Sequence, residues 1–274
     1  MTTAAQLRLI RNYHARLTSI REGTSIRVGA AWDTLGGIGD SELAAFSARA
    51  AVLVKAGQVA TVRLTDGYLG AYIGSVLKRP ARAQGILPEV VTGAAVRGGV
   101  APVEVYARPI ITARTALSQG RTLTAALAAG RARATGTAET DVMLTHRATA
   151  SEFLQREPRV RGYQRVLSGR SCDLCAIAST QVYRSDELMP IHDHCDCGVD
   201  PLIGDERGAG RIINRDRYEE MKSSGAIDRI SNQRAVARAK ESGDLGSLIA
   251  TETHGELGPL ITVAGQRFTG PGDV

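Results

Sequence analysis

The sequence predicts a mainly helical α+β protein. It reads as a helical N-terminal body, then a small Cys/His-stapled β-containing module, then short C-terminal helices with an extended tail. Three observations predict this. Over much of the first 157 residues, apolar side chains recur at steps of three and four, the spacing of one helix face. Aromatic residues make up only 4% of the chain against 43% hydrophobic residues, so the core is built from Ala, Val, Leu and Ile, sizes that suit close-packed helices. After Pro158 the helical period gives way to short β-prone runs, and all four cysteines fall beside them.

The elements follow in order. Residues 4–22 form an amphipathic helix in which Leu7, Ile10, Tyr13, Leu17 and Ile20 share a face and arginines lie between them. Glycines from Gly29 to Gly39 break the pattern, and Asp40 or Ser41 supplies an N-cap for a long helix reaching about Leu77. Lys78-Arg79-Pro80 ends it, because a proline disfavours helix at the residue before it. Residues 83–100, rich in glycine, are expected to be loop, and helices resume over 102–119, 121–132 and 138–156. Strands are expected at 162–167, at 181–184 and over Cys195–Leu202, and short helices at 214–223, 230–241 and 245–254. The tail from Gly255 to Val274 reads as a hairpin or extended arm. Four regions result: a helical body over 1–157, the Cys/His module over 158–203, C-terminal helices over 204–254, and the tail over 255–274.

Composition excludes some classes and favours others. The hydrophobic share belongs to a globular rather than a disordered chain. Arg8 and Arg11 interrupt the first apolar residues, so no signal peptide is expected, and no uncharged apolar run of about 18 residues points to a membrane span. The net charge of +6 is uneven. Residues 1–150 hold 18 Lys and Arg against 9 Asp and Glu, a balance of +9, whereas residues 151–274 hold 16 against 19, a balance of −3. A basic N-terminal half fits contact with nucleic acid or an acidic protein surface, and it equally fits a set of solvated arginine-studded helices. Arginines Arg8, Arg11, Arg16 and Arg21 are the candidate contacts, made to phosphates without sequence readout. Arginine outnumbers lysine 30 to 4, a bias that GC-rich codons also produce.

The richest segment is Cys172 to Cys197. Cys172-x-x-Cys175 is followed, after 16 residues, by His192-x-x-Cys195-x-Cys197, with His194 beside it. Thiolate and imidazole are the ligands that close a tetrahedral zinc site. Three chemistries fit the cluster: structural metal, paired or structural thiols, and a reactive cysteine of lowered pKa. We carry forward metal, with about one zinc held by four of Cys172, Cys175, His192, Cys195 and Cys197, and with His194 as bystander. The rival is a metal-dependent nuclease or other DNA-processing enzyme using His192 and His194. Against it, Cys195-Asp196-Cys197-Gly198 leads toward Pro201 rather than into a helix, and Asp193, Asp196 and Asp200 read as exposed loop charges. No Gly-x-Ser-x-Gly, catalytic triad or Gly-rich phosphate loop is found, and Gly208-Ala209-Gly210 reads as a turn. The chain is expected not to be an enzyme.

The order Gly169-Arg170-Ser171-Cys172-Asp173-Leu174-Cys175, then Gln181-Val182-Tyr183, then Met189-Pro190-Ile191-His192-Asp193-His194-Cys195-Asp196-Cys197 resembles the phage Mu protein F-like (MuF) family. That family's motif runs Cys-x-x-Cys, a short strand, and Pro-x-His-Pro-x-Cys-x-Cys; Cys172, Cys175, Pro190, His192, Cys195 and Cys197 match it. Asp193 departs from it, standing where the family has proline. The tail His254-Gly255-Glu256-Leu257-Gly258-Pro259 resembles the ending of head proteins from phages of actinobacterial hosts. The resemblance implies a minor capsid, or head-morphogenesis, protein of a tailed bacteriophage. It implies a structural virion component in several copies, associated with the portal protein and the major capsid protein; packaged double-stranded DNA is expected as a further, non-specific partner of the N-terminal arginines rather than from the resemblance. Such a protein resides in the head interior, after assembly in the host cytoplasm, with no membrane partner.

Overall fold

A computed structural model describes residues 4–166, 173–184, 198–203, 212–213, 219, 221–223, 225, 227, 233–254, 258–265 and 267. It is a mainly helical α+β protein. The chain divides into two compact units, Met1–Tyr68 with Gly85–Thr149, and Leu69–Gln84 with Ala150–Val274.

The first unit is built on four helices: α1 (Ala4–Trp32), the first part of α2 (Asp40–Val76), α3 (Pro102–Ser118) and most of α4 (Leu123–Arg156). Helix α1 runs ten residues past the expected end, through Gly23 and Gly29. A glycine inside a helix costs about 1 kcal/mol relative to alanine, which the burial of Val28, Ala31 and Trp32 just beyond it offsets. Trp32 meets Phe46 edge-to-face at 5.1 Å between centroids and fits over Gly130 of α4. A Cβ on Gly130 would lie 2.4 Å from the indole ring and 2.8 Å from the Pro109 carbonyl oxygen. Helix α4 is continuous where two helices, 121–132 and 138–156, were expected. Ala126, Ala134 and Ala138 carry the buried face across Gly130 and Gly136 without a break. Around Trp32 and Phe46 the core adds Val54, Val105, Tyr106 and Ile110.

The helix ends follow local chemistry. Acidic Asp40 and Glu42 occupy the first turn of α2, where they complement the helix dipole. Its C-terminus closes with Lys78 at φ 51°, two residues before Pro80. Helix α3 opens with Pro102 in its first turn, where a missing N–H is harmless. It ends on Gly120 at φ 80°, with Gly120 N–H donating to Leu117 O at 2.9 Å and Arg121 N–H to Ala116 O at 3.1 Å. That pair of bonds requires a left-handed residue, which glycine supplies without steric penalty. Thr122 caps α4 by accepting from Ala125 N–H at 3.2 Å.

The expected loop over 83–100 contains two short 3-10 turns, Pro88–Val90 and Gly93–Val96. Buried polar groups of α2 and α4 hold its part from Gly85 onward. Asp66 Oδ2 accepts from Gly85 N–H at 2.8 Å and Ile86 N–H at 3.1 Å. Gln58 Oε1 accepts from Gly93 N–H at 3.1 Å, and Lys55 Nζ donates to the Thr92 hydroxyl. Arg97 Nε donates to Asp141 Oδ1 at 2.5 Å, while the Tyr106 hydroxyl donates to Asp141 Oδ2 at 2.6 Å. By length and composition α2 is apolar enough to cross a membrane. Here it serves as a core helix: Phe46, Ala50 and Val54 join the core, and Gln58, Thr61, Thr65 and Asp66 are buried.

The second unit holds the β structure. Strands β1 (Val160–Val166), β2 (Gln181–Arg184), β3 (Gly198–Ile203) and β4 (Ile212–Ile213) form an antiparallel sheet of order β3-β1-β2-β4. Tyr163 and Tyr183 face each other across β1 and β2, their rings stacked at 5.2 Å. Helix α5 (Asp173–Ala178) sits between β1 and β2 in the chain. A second hydrophobic core gathers Ile177 of α5, Val236 and Ala239 of α6 (Gln233–Ser242), and Leu245, Leu248, Ile249 and Ile261. One expectation is corrected here. Residues 245–254, read as a short helix, form a 3-10 turn (Leu245–Leu248) and strand β5 (Ile249–His254). Strand β5 pairs with β6 (Gly258–Val263). A hairpin or extended arm was expected within the tail from Gly255; the observed hairpin instead takes its first strand from the segment read as helix, and 268–274 lie outside the described residues. Ile249, Thr251 and Thr253 alternate as β-branched residues, and a two-residue period suits a strand.

Candidate metal centre in the β module

Both β2 and β3 run antiparallel to β1, so both begin at the sheet end where β1 finishes. Gly198 pairs with Val166, and Val182 with Gln164. Helix α5 precedes β2 by only Ser179 and Thr180, and short bonds bind it there. Ser179 N–H donates to Cys175 O at 2.9 Å, Thr180 N–H to Ile177 O at 3.0 Å, and the Tyr183 hydroxyl to Ala178 O at 2.6 Å. The described chain thus meets this one end at three points: Val166, the start of β2 with α5 tied to it, and Gly198. Cys172 and Cys197 are the sequence neighbours of Asp173 and Gly198.

Of the five candidate ligands, the structure places Cys175, fully buried in α5. Cys172, His192, Cys195 and Cys197 lie outside the described residues, as does the bystander His194. Among the described residues no three metal-binding side chains gather. The donor set still fits zinc by its chemistry: thiolates dominate, with imidazole beside them, and five candidates fill four positions and leave none for a reactive water.

The module also contains charged groups that the sequence did not expose. Asp200, read as an exposed loop charge, lies in β3, with Gln164 as its partner in register. Burial pushes its carboxyl above the ordinary value, and a hydrogen bond from Tyr72 pulls the other way. Burial and the neighbouring carboxylate push the Tyr72 phenol up as well. Arg165 is 4% exposed, and its guanidinium carbon lies 5.9 Å from the Tyr183 ring centroid, a cation–π placement. Glu157 accepts from Arg79 at 2.8 Å and from Arg159 at 2.9 Å.

The four candidate arginines lie on α1 in the other unit. Arg8, Arg11 and Arg16 are exposed, and Arg21 is 6% exposed. Arg21 follows Leu17 by four residues and precedes Val28 by seven, a spacing that sets it on the buried face and removes it from the solvent-facing set. That signal was readable from the sequence. A second polar cluster in this unit was not: the Tyr13 hydroxyl lies 2.6 Å from His146 Nδ1 and 3.1 Å from the Thr65 hydroxyl, while Tyr13 stacks on Tyr68 at 3.9 Å. These partners lie far apart in the chain. Burial raises the Tyr13 phenol well above its usual range, while the Thr65 hydroxyl and the charge of Arg147 pull the other way.

Residues 103–223 match the model of a family described as VG15 protein. The match covers less than half of the chain and spans α3, α4, the sheet and the whole Cys172–Cys197 segment. That family is phage-associated, and the match supports a phage protein without attaching an activity to it. Comparisons with curated proteins and with solved structures return no match.

Proposed function

We propose that the chain is a MuF-like minor capsid protein of a tailed phage. In this reading it is a non-enzymatic head-morphogenesis component that docks on the portal or the inner face of the major capsid protein. It is present in several copies and resides inside the head after assembly in the host cytoplasm. One observation carries the reading. The phage-family match runs across the segment whose order of cysteines, histidine and proline independently resembles the MuF motif. The module topology supports the zinc assignment, because β3, which begins one residue after Cys197, starts at the same sheet end as β2, to which α5 with Cys175 is tied. A zinc there would join α5, β2 and β3 in a module whose strands are short.

Mass spectrometry of purified procapsids and virions is the test. The expected result is this chain at several copies per particle, with co-expressed portal protein retaining it on a column. Absence from both particles overturns the head assignment. Native mass spectrometry of the full chain is expected to show one zinc. A metal-free chain with paired sulfurs would replace zinc by disulfides.

A further inference from the structure

The solvent face of α1 carries charge that no side chain among the described residues pairs with. Its charged residues exposed to solvent are Arg8, Arg11, Arg16 and Arg27, and its one acid, Glu22, is only half-exposed. None of the four arginines takes part in an ion pair or hydrogen bond among the described residues. Elsewhere in the same unit the comparison is plain. Arg131 is held by Asp33 at 2.8 Å, Arg114 by Asp40 at 2.7 Å, and Arg97 by Asp141 in the interior.

The helical period arranges the four in one band. At 3.6 residues per turn they fall within an arc of about 160° and span about 28 Å along the axis. Tyr13, Leu17, Arg21 and Val28 fill the opposite, buried arc. Between the arginines the exposed positions Asn12, Ala15 and Ser19 are small or short, and Ile26 beside Arg27 is the bulky exception. Such a surface lets a ridge of phosphates approach closely while long guanidinium arms reach it from both sides. Protein-binding faces centre instead on clusters of aromatic or apolar anchors; here Leu7 lies outside the arc and Ile26, 69% exposed, is a single apolar residue inside it.

We propose that this face binds the phosphate backbone of double-stranded DNA without reading its sequence, through Arg8, Arg11, Arg16 and Arg27. Arg21, although basic and on the same helix, takes no part. The proposal does not rest on the phage-head reading: absence from virions would leave it standing, and loss of DNA binding would leave the head assignment standing.

Fluorescence anisotropy tests it, with the full chain and a labelled duplex of arbitrary sequence. A duplex of about 25 base pairs offers more than two helical turns. Between about 50 and 200 mM salt, four phosphate contacts contribute about −3.6 to the slope of log affinity against log salt. The variant Arg8→Ala/Arg11→Ala/Arg16→Ala/Arg27→Ala is expected to lose that part of the slope and to bind at least tenfold more weakly at low salt. Alanine preserves helix propensity, and circular dichroism checks that the variant melts like the parent. Replacing the same four by lysine keeps the slope, as does Arg114→Ala/Arg131→Ala, whose arginines are already paired. An unchanged slope in the quadruple alanine variant overturns the proposal, as does a parent chain that fails to bind at low salt. So does a variant that keeps DNA but loses purified portal protein, which would assign the face to an acidic protein surface.

Discussion

In the helical unit, Trp32, Phe46, Tyr106 and Ile110 are buried among alanines, and the loop from Gly85 to Gly99 is tied to helices by buried polar groups. In the β module the longest strand has seven residues, and its core is drawn from α5, α6, a 3-10 turn and a hairpin. The first unit has long elements that bury a face against one another, which is where most helical stability arises. The second has short elements, and its sequence holds the Cys/His segment for which we propose zinc. The difference locates where each unit is expected to be vulnerable: in its packing and buried charges for the first, in the proposed zinc ligands for the second.

The largest effect is expected from the ligands. Structural zinc contributes about 10 kcal/mol or more of apparent free energy in small metal-folded peptides. Chelation, or Cys175→Ser, should therefore abolish the module's cooperative melt while the helical circular dichroism largely persists. If chelator and parent melts coincide, the module holds itself by packing and the contrast between the units disappears. Next comes the buried pair in the helical unit. Arg97 and Asp141 are 3% and 6% exposed at the side chain. Removing one partner strands the other charge, at about 3–5 kcal/mol. Asp141→Ala also takes away the acceptor of the Tyr106 hydroxyl. Chemical denaturation should show a loss of that size in the helical transition with the module's unchanged.

These two sites differ in how far the sequence revealed them. The candidate ligands could be named because cysteine spacing is local and chemically distinctive, and of them the structure describes Cys175. The Arg97–Asp141–Tyr106 cluster could not, because it joins residues 35 to 44 positions apart whose types are ordinary. Helices α2 and α3 were read nearly to the residue from caps and prolines. The end of α1 and the continuity of α4 were missed for one reason. Local pattern was weighed without burial, whereas Val28, Ala31 and Trp32 of α1 and Ala134 and Ala138 of α4 are held helical by the core they join. Strand β5 was misread because Leu245, Leu248 and Ile249 stand at helical spacing just ahead of it, and only its pairing with β6 resolves the ambiguity. Asp200 was read from its charge, although its place in β3 decides its surroundings.

The contact of Trp32 with Gly130 gives a third, smaller effect. Gly130→Ala would put a methyl group 2.4 Å from the indole ring, and the Pro109 carbonyl at 2.8 Å closes the other side. Overpacking of this kind costs about 1–3 kcal/mol. The helical melt should fall accordingly, and Trp32, the chain's single tryptophan, should report it by a shifted emission. An alanine that raises stability through helix propensity would show that α1 and α4 have slack at this contact.

The smallest effect belongs to the module and depends on pH. Burial holds the Asp200 carboxyl above its ordinary value of 3.8. The folded state therefore binds this proton more tightly than the unfolded chain does. Its stabilising contribution is complete below the unfolded value and is lost as pH rises through the folded one. Asp200→Asn removes the ionisation and keeps an acceptor for the Tyr72 hydroxyl. The variant should match the parent near pH 3 and melt a few degrees higher at pH 7, the difference growing with pH between those limits. A difference that is flat with pH would mean that the substitution acts through packing alone. A variant less stable at pH 7 would mean that the ionised Asp200 is itself favourable there, with the hydrogen bond from Tyr72 outweighing its desolvation.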